Sequence, residues 1–152
     1  MRKILYSLIS LALLVACQDV FESPPQALLE VKVKNVDTLN TRKPKVSVYG
    51  VGRDSIWIYQ VETDVFRLPL SSGDTTSYVV LLDSIADTLS IIHSNELIFE
   101  SAETGFYQES KILDIEHSFN RIDDYEVTDS AVTKNWHENI QLYIHSLPAD
   151  AN

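Results

Sequence analysis

The stretch Leu29-Glu30-Val31-Lys32-Val33-Lys34 alternates apolar and charged residues one by one. Successive side chains of a β-strand point to opposite faces, so this pattern predicts a strand with one buried and one solvated face. Further strand-like segments follow at 46–51, 56–61, 66–70, 77–82, 89–93, 96–101, 111–119, 122–128 and 140–145. Short strands at a spacing of roughly ten residues predict an all-β fold, an antiparallel β-sandwich of about eight strands, immunoglobulin-like or related.

Several segments carry more specific expectations. Ile56–Val61 is apolar on both faces, which predicts a central strand, whereas Pro69 cannot donate to a ladder and predicts an edge strand or a bulge. Ser94-Asn95 separates two apolar runs and predicts a tight hairpin. Residues 128–139 are the one stretch that could include a short helix. The strand at 111–119 is expected to place Leu113, Ile115, His117 and Phe119 on one apolar face.

The N-terminus has the layout of a bacterial export signal. Arg2 and Lys3 precede an apolar run from Ile4 to Ala16. A retained membrane helix is the alternative, but this run is shorter than the roughly 20 apolar residues that spanning requires. We therefore expect residues 1–16 to be a lipoprotein signal peptide.

Leu14-Val15-Ala16-Cys17 matches the lipobox of bacterial lipoproteins, in which a small residue precedes a cysteine that becomes acylated. Cys17 is also the only cysteine of the chain, so it cannot form an internal disulfide. An ordinary buried cysteine is the alternative. The sequence thus predicts membrane lipid as a partner through acylated Cys17, because more than one acyl chain gives stable anchoring.

The mature chain is expected to have three parts. Residues 17–26 contain Pro24 and Pro25 and form a lipidated tether, of which the nine residues 18–26 reach at most about 28 Å if extended. Residues 27–147 are the β-sandwich domain, and residues 148–152 are a flexible C-terminus.

The charge excludes some partners. The chain has 12 basic and 22 acidic residues, and removal of the signal, which has two basic and no acidic residues, changes the net charge from −10 to −12. Nucleic-acid binding requires a basic surface, so no nucleic-acid partner is expected. Adsorption to anionic lipid is disfavoured for the same reason, and solvation is the simplest explanation of the acidic residues.

The chain lacks the common catalytic and cofactor motifs. It has no His-Glu-x-x-His pair, no second cysteine for zinc, and no nucleophile elbow, phosphate loop or EF-hand. His137-Glu138 beside Trp136 is the only histidine cluster, and the sequence gives it no partner. We therefore expect no enzyme, no cofactor and no metal.

Two weaker patterns each have a structural alternative. Asp123-Asp124 with Glu126 could bind a cation weakly, although a solvated turn and strand edge explains these residues equally. A second set of residues is aromatic and could form a sugar-stacking platform, although aromatics in strands usually belong to the core. This set is Trp57, Tyr59, Tyr78, Phe99, Phe106 and Tyr107.

A tripeptide of Asp, a hydroxyl residue and a small or aliphatic residue occurs six times. Part of this excess has a local cause, because Asp and Ser or Thr bond nearby backbone in turns. The pattern also resembles the acceptor motif for periplasmic O-glycosylation in Bacteroidota. The hydroxyl residues concerned are Thr38, Ser55, Thr75, Ser84, Thr88 and Ser130.

The whole layout resembles a family of small Bacteroidota lipoproteins with a domain of unknown function. The shared features are Leu14–Cys17, Leu29–Val33, Gly52-Arg53-Asp54-Ser55-Ile56, Leu68-Pro69-Leu70 and Glu103-Thr104-Gly105-Phe106. The resemblance implies that relatives often have a cysteine at the position of Thr104, paired with one near the mature N-terminus. This chain has neither, and the resemblance implies no activity.

The expected function is that of a lipid-anchored, non-catalytic structural or interaction module of the cell envelope, whose partner is an envelope protein or a glycan. The alternative is a glycan- or small-ligand-binding lipoprotein of the surface or periplasm. The outer membrane is the expected location, with the face left open. Asp19 and Glu22 give only a weak acidic signal for surface export.

Overall fold

The computed structural model describes residues 23–37, 42–52 and 56–147. This part of the chain folds into ten strands and contains no helix that could cross a bilayer. The predicted all-β class is therefore confirmed, with ten strands in place of about eight. The strands are β1 (Leu28–Asn35), β2 (Lys45–Gly50), β3 (Ile56–Glu62), β4 (Val65–Pro69), β5 (Thr75–Leu82), β6 (Ile85–Ser101), β7 (Gly105–His117), β8 (Ile122–Val127), β9 (Ala131–Val132) and β10 (Glu138–Ile144).

The strands form two sheets in a sandwich-like arrangement. The four-stranded sheet has the order β4-β1-β10-β8, and the six-stranded sheet has the order β3-β2-β5-β6-β7-β9. All neighbours are antiparallel except β1 and β10, which pair in parallel from Val31 with Ile140 to Asn35 with Ile144. A parallel pair needs a long connection, and here nearly the whole domain lies between the two strands.

The core lies between the facing sheets. In β1 the alternation is as predicted, because Leu29, Val31 and Val33 are buried while the residues between them are partly exposed. Pro69 lies in β4, an edge strand, which is one of the two predicted alternatives. Each sheet contributes aliphatic residues to the shared core, including Leu29, Val31, Leu68, Ile140, Leu142 and Ile144 from one and Val46, Val48, Val80, Leu82, Leu89 and Ile91 from the other.

The prediction of a central strand at Ile56–Val61 is wrong. β3 is the edge strand of the six-stranded sheet and pairs only with β2. The chain leaves β3 for the other sheet through Thr63 and Asp64, so β3 and β4 border the same open side of the sandwich. The apolar side chains of β3 that point away from the core are consequently exposed to solvent.

The hairpin predicted at Ser94-Asn95 is also wrong. β6 runs without interruption for 17 residues, and its hairpin with β7 turns at 102–104. Asn95 is a turn-forming residue, but here its side chain bonds other segments. Its Nδ2 donates to the carbonyls of Ser71 (3.2 Å) and Gly73 (2.6 Å), which leaves the β6 backbone extended.

Two expectations for the C-terminal half need correction. A bulge at Leu113 inserts one extra residue into β7, so Ile112 and Ile115 point inward while Leu113 is exposed, and Phe119 is exposed beyond the end of β7. Residues 128–139 contain β9 instead of a helix. There the buried Asn139 Nδ2 donates to the carbonyls of Asp129 (3.2 Å) and Ala131 (2.8 Å), which fixes an irregular loop.

Candidate binding groove

A groove opens on the side of the sandwich where β3 and β4 end their respective sheets. Its volume is about 420 Å³. Both tryptophans of the chain line it, and Arg67 supplies the positive charge. The remaining wall is apolar, formed mainly by Leu28, Ile58, Val61, Val65 and Phe66.

The two tryptophans are held by backbone hydrogen bonds. Trp57 Nε1 donates to the carbonyl of Arg67 at 2.8 Å, and Trp136 Nε1 donates to the carbonyl of Gln26 at 2.8 Å. Each indole nevertheless stays about half exposed, at 51% for Trp57 and 50% for Trp136. A hydrogen-bonded N–H and a half-exposed ring give two oriented aromatic surfaces.

Arg67 connects the polar and aromatic parts of the groove. Its guanidinium carbon lies 4.6 Å from the ring centroid of Trp136, a cation–π contact. Its Nε donates to Glu30 Oε2 at 2.7 Å. Because a guanidinium carries five N–H donors and this bond uses one of them, Arg67 retains donors that a bound hydroxyl or carboxylate oxygen can accept from.

A second cavity lies on the other side of Trp57. It measures about 310 Å³ and is lined by Gly50, Val51, Leu70 and Tyr78 together with the turn before β5. The Tyr78 hydroxyl donates to the carbonyl of Pro69, which keeps the phenol edge inside the sandwich. Trp57 therefore separates two concave surfaces at one end of the fold.

The aromatic platform predicted from sequence is only partly present. Tyr78 and Tyr107 are buried, whereas Trp57 and Tyr59 are exposed on β3. Phe99 and Phe106 are exposed on the β6–β7 hairpin, away from β3. In the groove, Trp57 is instead accompanied by Trp136. The sequence analysis grouped Trp136 with His137 and did not include it in the aromatic platform.

In the structure, His137 and Glu138, which follow Trp136, have hydrogen-bond and ion-pair partners that the sequence alone did not indicate. His137 Nδ1 donates to the carbonyl of Asn135 (2.7 Å), and its Nε2 contacts Asp129 Oδ2 at 3.0 Å. The bond to the Asn135 carbonyl and then the Asp129 carboxylate raise the pKa of His137, while the backbone N–H of Ala131 lowers the pKa of Asp129. Glu138 pairs with Lys32 at 3.1 Å. These contacts fix the loop that carries Trp136.

A buried histidine network was not predicted. His93 is 1% exposed, with Nε2 2.8 Å from Thr76 Oγ1 and Nδ1 2.9 Å from Asn95 Oδ1. The Thr76 hydroxyl, the His93 imidazole and the Asn95 amide are thus arranged as the nucleophile, the base and the orienting group of a catalytic triad are. However, Thr76 Oγ1 also accepts from the Ser71 N–H at 2.9 Å and donates to Ser71 Oγ. These hydrogen bonds therefore stabilise the turn between β4 and β5.

The suggested cation site is dispersed. Asp123 Oδ1 lies 2.8 Å from His145 Nδ1, and Glu126 Oε2 accepts from the Tyr143 hydroxyl at 2.9 Å. Asp124 accepts from the backbone of Tyr125. Among the residues that the structure describes, no three His, Cys, Asp or Glu side chains are grouped as a metal site requires.

Four of the six Asp-hydroxyl sites lie within the described ranges. Thr75, Ser84 and Thr88 are exposed and Ser130 is partly exposed. Of the preceding aspartates, only Asp129 bonds nearby backbone, the Ala131 N–H, whereas Asp83 accepts from the distant Lys45 N–H and Asp87 from the loop after β7. Thr38 and Ser55 lie outside the described residues, as do residues 1–16, for which a signal peptide is predicted, Cys17 and residues 148–152.

Comparison with known proteins identifies the family and nothing narrower. No curated protein and no solved structure matches the chain. One family does match, over residues 45–144, and it is described as a family of unknown function, DUF6452. The match covers about two thirds of the chain, from β2 to β10, and includes Trp57, Arg67 and Trp136. The chain therefore belongs to the DUF6452 family of unknown function.

Proposed function

We propose that this protein is a lipid-anchored module of the bacterial cell envelope, of the Bacteroidota type, that acts by binding another molecule and not by catalysis. The export signal at residues 1–16 and the lipobox ending at Cys17 support the anchor. The outer membrane is the proposed location. The acidic composition supports a domain that stays in the aqueous phase at the membrane.

The proposed ligand is a glycan or a small amphipathic molecule, and the observation that carries this proposal is the groove between Trp57 and Trp136. Indole faces bind the apolar faces of sugar rings, and Arg67 offers donors to their oxygens. Both indoles are already oriented by backbone bonds, so little conformational entropy is lost when a ligand binds.

A second candidate is a structural or interaction module with a protein partner. The observation in its favour is β3, an edge strand whose residues Ile56 and Tyr59 lie outside the groove and are more than half exposed. An exposed edge strand can accept an extended segment of another protein. The positive φ of Gln60 (51°) distorts this edge and shortens the part that can pair.

Tryptophan fluorescence tests the groove directly, because the only two tryptophans of the chain line it. Titration with soluble oligosaccharides of glucose, xylose and N-acetylglucosamine should give a saturable change in emission for at least one sugar. Trp57→Ala and Trp136→Ala should each weaken binding about tenfold, and the remaining tryptophan still reports the signal.

Tyr59→Ala is the matched control, since Tyr59 is exposed on the same strand but does not line the groove. It should bind as the unaltered protein does. If both tryptophan variants also bind normally, the ligand occupies another site. No response to any sugar, combined with binding of an extended peptide, would favour the second candidate.

We also propose that at least one Asp-hydroxyl site carries an O-glycan. Thr75, Ser84 and Thr88 offer exposed hydroxyls near strand ends or on an outer face. Protein purified from its native host should have an intact mass above that of the lipidated polypeptide. A mass equal to polypeptide plus lipid would disprove this proposal.

A further inference from the structure

The β6–β7 hairpin extends beyond the sandwich as a two-stranded arm, residues 94–101 and 105–111. β5 accompanies β6 only as far as the pair Thr75–Ile92, and β9 reaches only Ser110 and Lys111 on the other side. The base of the arm is fastened to the turn between β4 and β5. Besides the bonds of Asn95, Gln108 Nε2 donates to the Ser71 carbonyl at 3.0 Å.

The arm is amphipathic. Leu97, Phe99 and Phe106 are 67%, 58% and 57% exposed, and the two phenyl rings pack edge to face with centroids 5.1 Å apart. Phe99 pairs with Phe106 in the ladder, so these residues share one face. The opposite face carries the pair Glu96–Glu109 and Glu100, together with the pair Ile98–Tyr107. We call it the acidic face because of its three glutamates.

The arm projects from the same end of the sandwich at which the chain enters the domain. Lys134 Nζ contacts Glu100 of the arm at 2.7 Å, and two residues later Trp136 bonds the carbonyl of Gln26. Gln26 is the last residue of the tether. Nine residues after Cys17 span at most about 28 Å, so a lipid at Cys17 would hold this end near the bilayer.

We propose that the apolar face of the arm inserts into the membrane interface as a second contact beside the lipid. This inference rests on the proposed acylation of Cys17. Phe and Leu side chains partition into the boundary between headgroups and acyl chains, while the acidic face of the arm stays in water. The tether makes insertion effectively intramolecular, so three side chains suffice although they would bind weakly alone. The acidic face makes an uncharged lipid surface the preferred one.

A single introduced cysteine tests the proposal, because acylation of Cys17 leaves no other thiol in the chain. Full-length lipidated Phe99→Cys and Leu97→Cys, labelled with an environment-sensitive fluorophore, are reconstituted in phosphatidylcholine vesicles. Thr88→Cys is the control, since Thr88 is exposed on the same strand nearer the opposite end. Labels at 97 and 99 should shift to the blue and lose emission when the vesicles contain doxyl-labelled lipid, and the label at 88 should not.

The outcomes separate the two proposals. If the lipidated protein does not float with the vesicles, the anchor itself is wrong. If it floats while labels at 97 and 99 are quenched by aqueous iodide as strongly as the label at 88, the arm does not insert. A blue shift that depends on protein concentration and not on doxyl lipid would identify a second copy as the occupant and overturn the inference.

Discussion

Replacing Asp87 by Asn is expected to lower the free energy of unfolding by about 3 kcal/mol. Asp87 is 1% exposed, and its carboxylate accepts four hydrogen bonds. Oδ1 accepts from Ser118 Oγ (2.6 Å) and the Asn120 N–H (2.8 Å), and Oδ2 from the N–H groups of Arg121 (2.8 Å) and Ile122 (3.0 Å).

The substitution is costly because every partner is a donor. An amide has one oxygen and one NH₂ group, so one orientation leaves the N–H groups of Arg121 and Ile122 without an acceptor, and the other leaves the Asn120 N–H without one and forces the Ser118 hydroxyl to rotate. The loop held by Asp87 also connects β7 in one sheet to β8 in the other. Loosening it should therefore weaken the packing of the two sheets and not only the loop.

Thermal unfolding followed by circular dichroism measures the effect, and a loss of about 3 kcal/mol corresponds to a decrease in Tm of about 10 °C. Asp74→Asn is the control, because it makes the same change of charge at an exposed position. It should stay within about 0.5 kcal/mol of the unaltered protein. Equal melting temperatures for the two variants would contradict the structural role of Asp87.

The sequence predicts the fold class well because alternation directly reflects burial. Leu29, Val31 and Val33 alternate with charged residues, and the strand that they form has the predicted buried face. Ile56–Val61 gives the wrong position because an apolar residue is equally compatible with a core and with an exposed edge. The extent of β6 was missed because Asn95 favours a turn locally, and only its bonds to a distant loop show otherwise.

The candidate groove was less predictable than the fold. Trp57 belonged to a set of aromatics that the fold divides among β3, buried positions and the β6–β7 hairpin, and Trp136 lay 79 positions away in a segment that could have been a helix. Their approach depends on the end of the tether, since Trp136 is oriented by the carbonyl of Gln26. A hydrogen bond to a backbone carbonyl cannot be predicted from residue types, because every residue has such a carbonyl. Asp87 was visible only as part of a tripeptide for the same reason, because three of its four donors are backbone N–H groups.

Replacing Cys17 by Ser should release the protein from membranes while its fold stays intact. Serine lacks the thiol that the proposed acylation requires, so the variant would lack the proposed lipid chains, in which each buried methylene contributes about 0.8 kcal/mol to anchoring. Fractionation followed by a carbonate wash measures the effect. The variant should move to the soluble fraction, and its melting temperature should not change, because the described domain begins beyond Cys17.

Ser23→Ala is the control, since it alters the same tether and leaves Cys17 in place. The arm does not change the expected result. Burying the exposed parts of Leu97, Phe99 and Phe106 contributes about 4 kcal/mol, which corresponds to only about millimolar binding once the lipid no longer holds the arm at the membrane. Release of the variant therefore agrees with both membrane contacts. If the variant has lost residues 1–16, as its mass shows, and still sediments with membranes after the carbonate wash, neither the lipid nor the arm explains its attachment, and the assignment of Cys17 as the anchor is wrong.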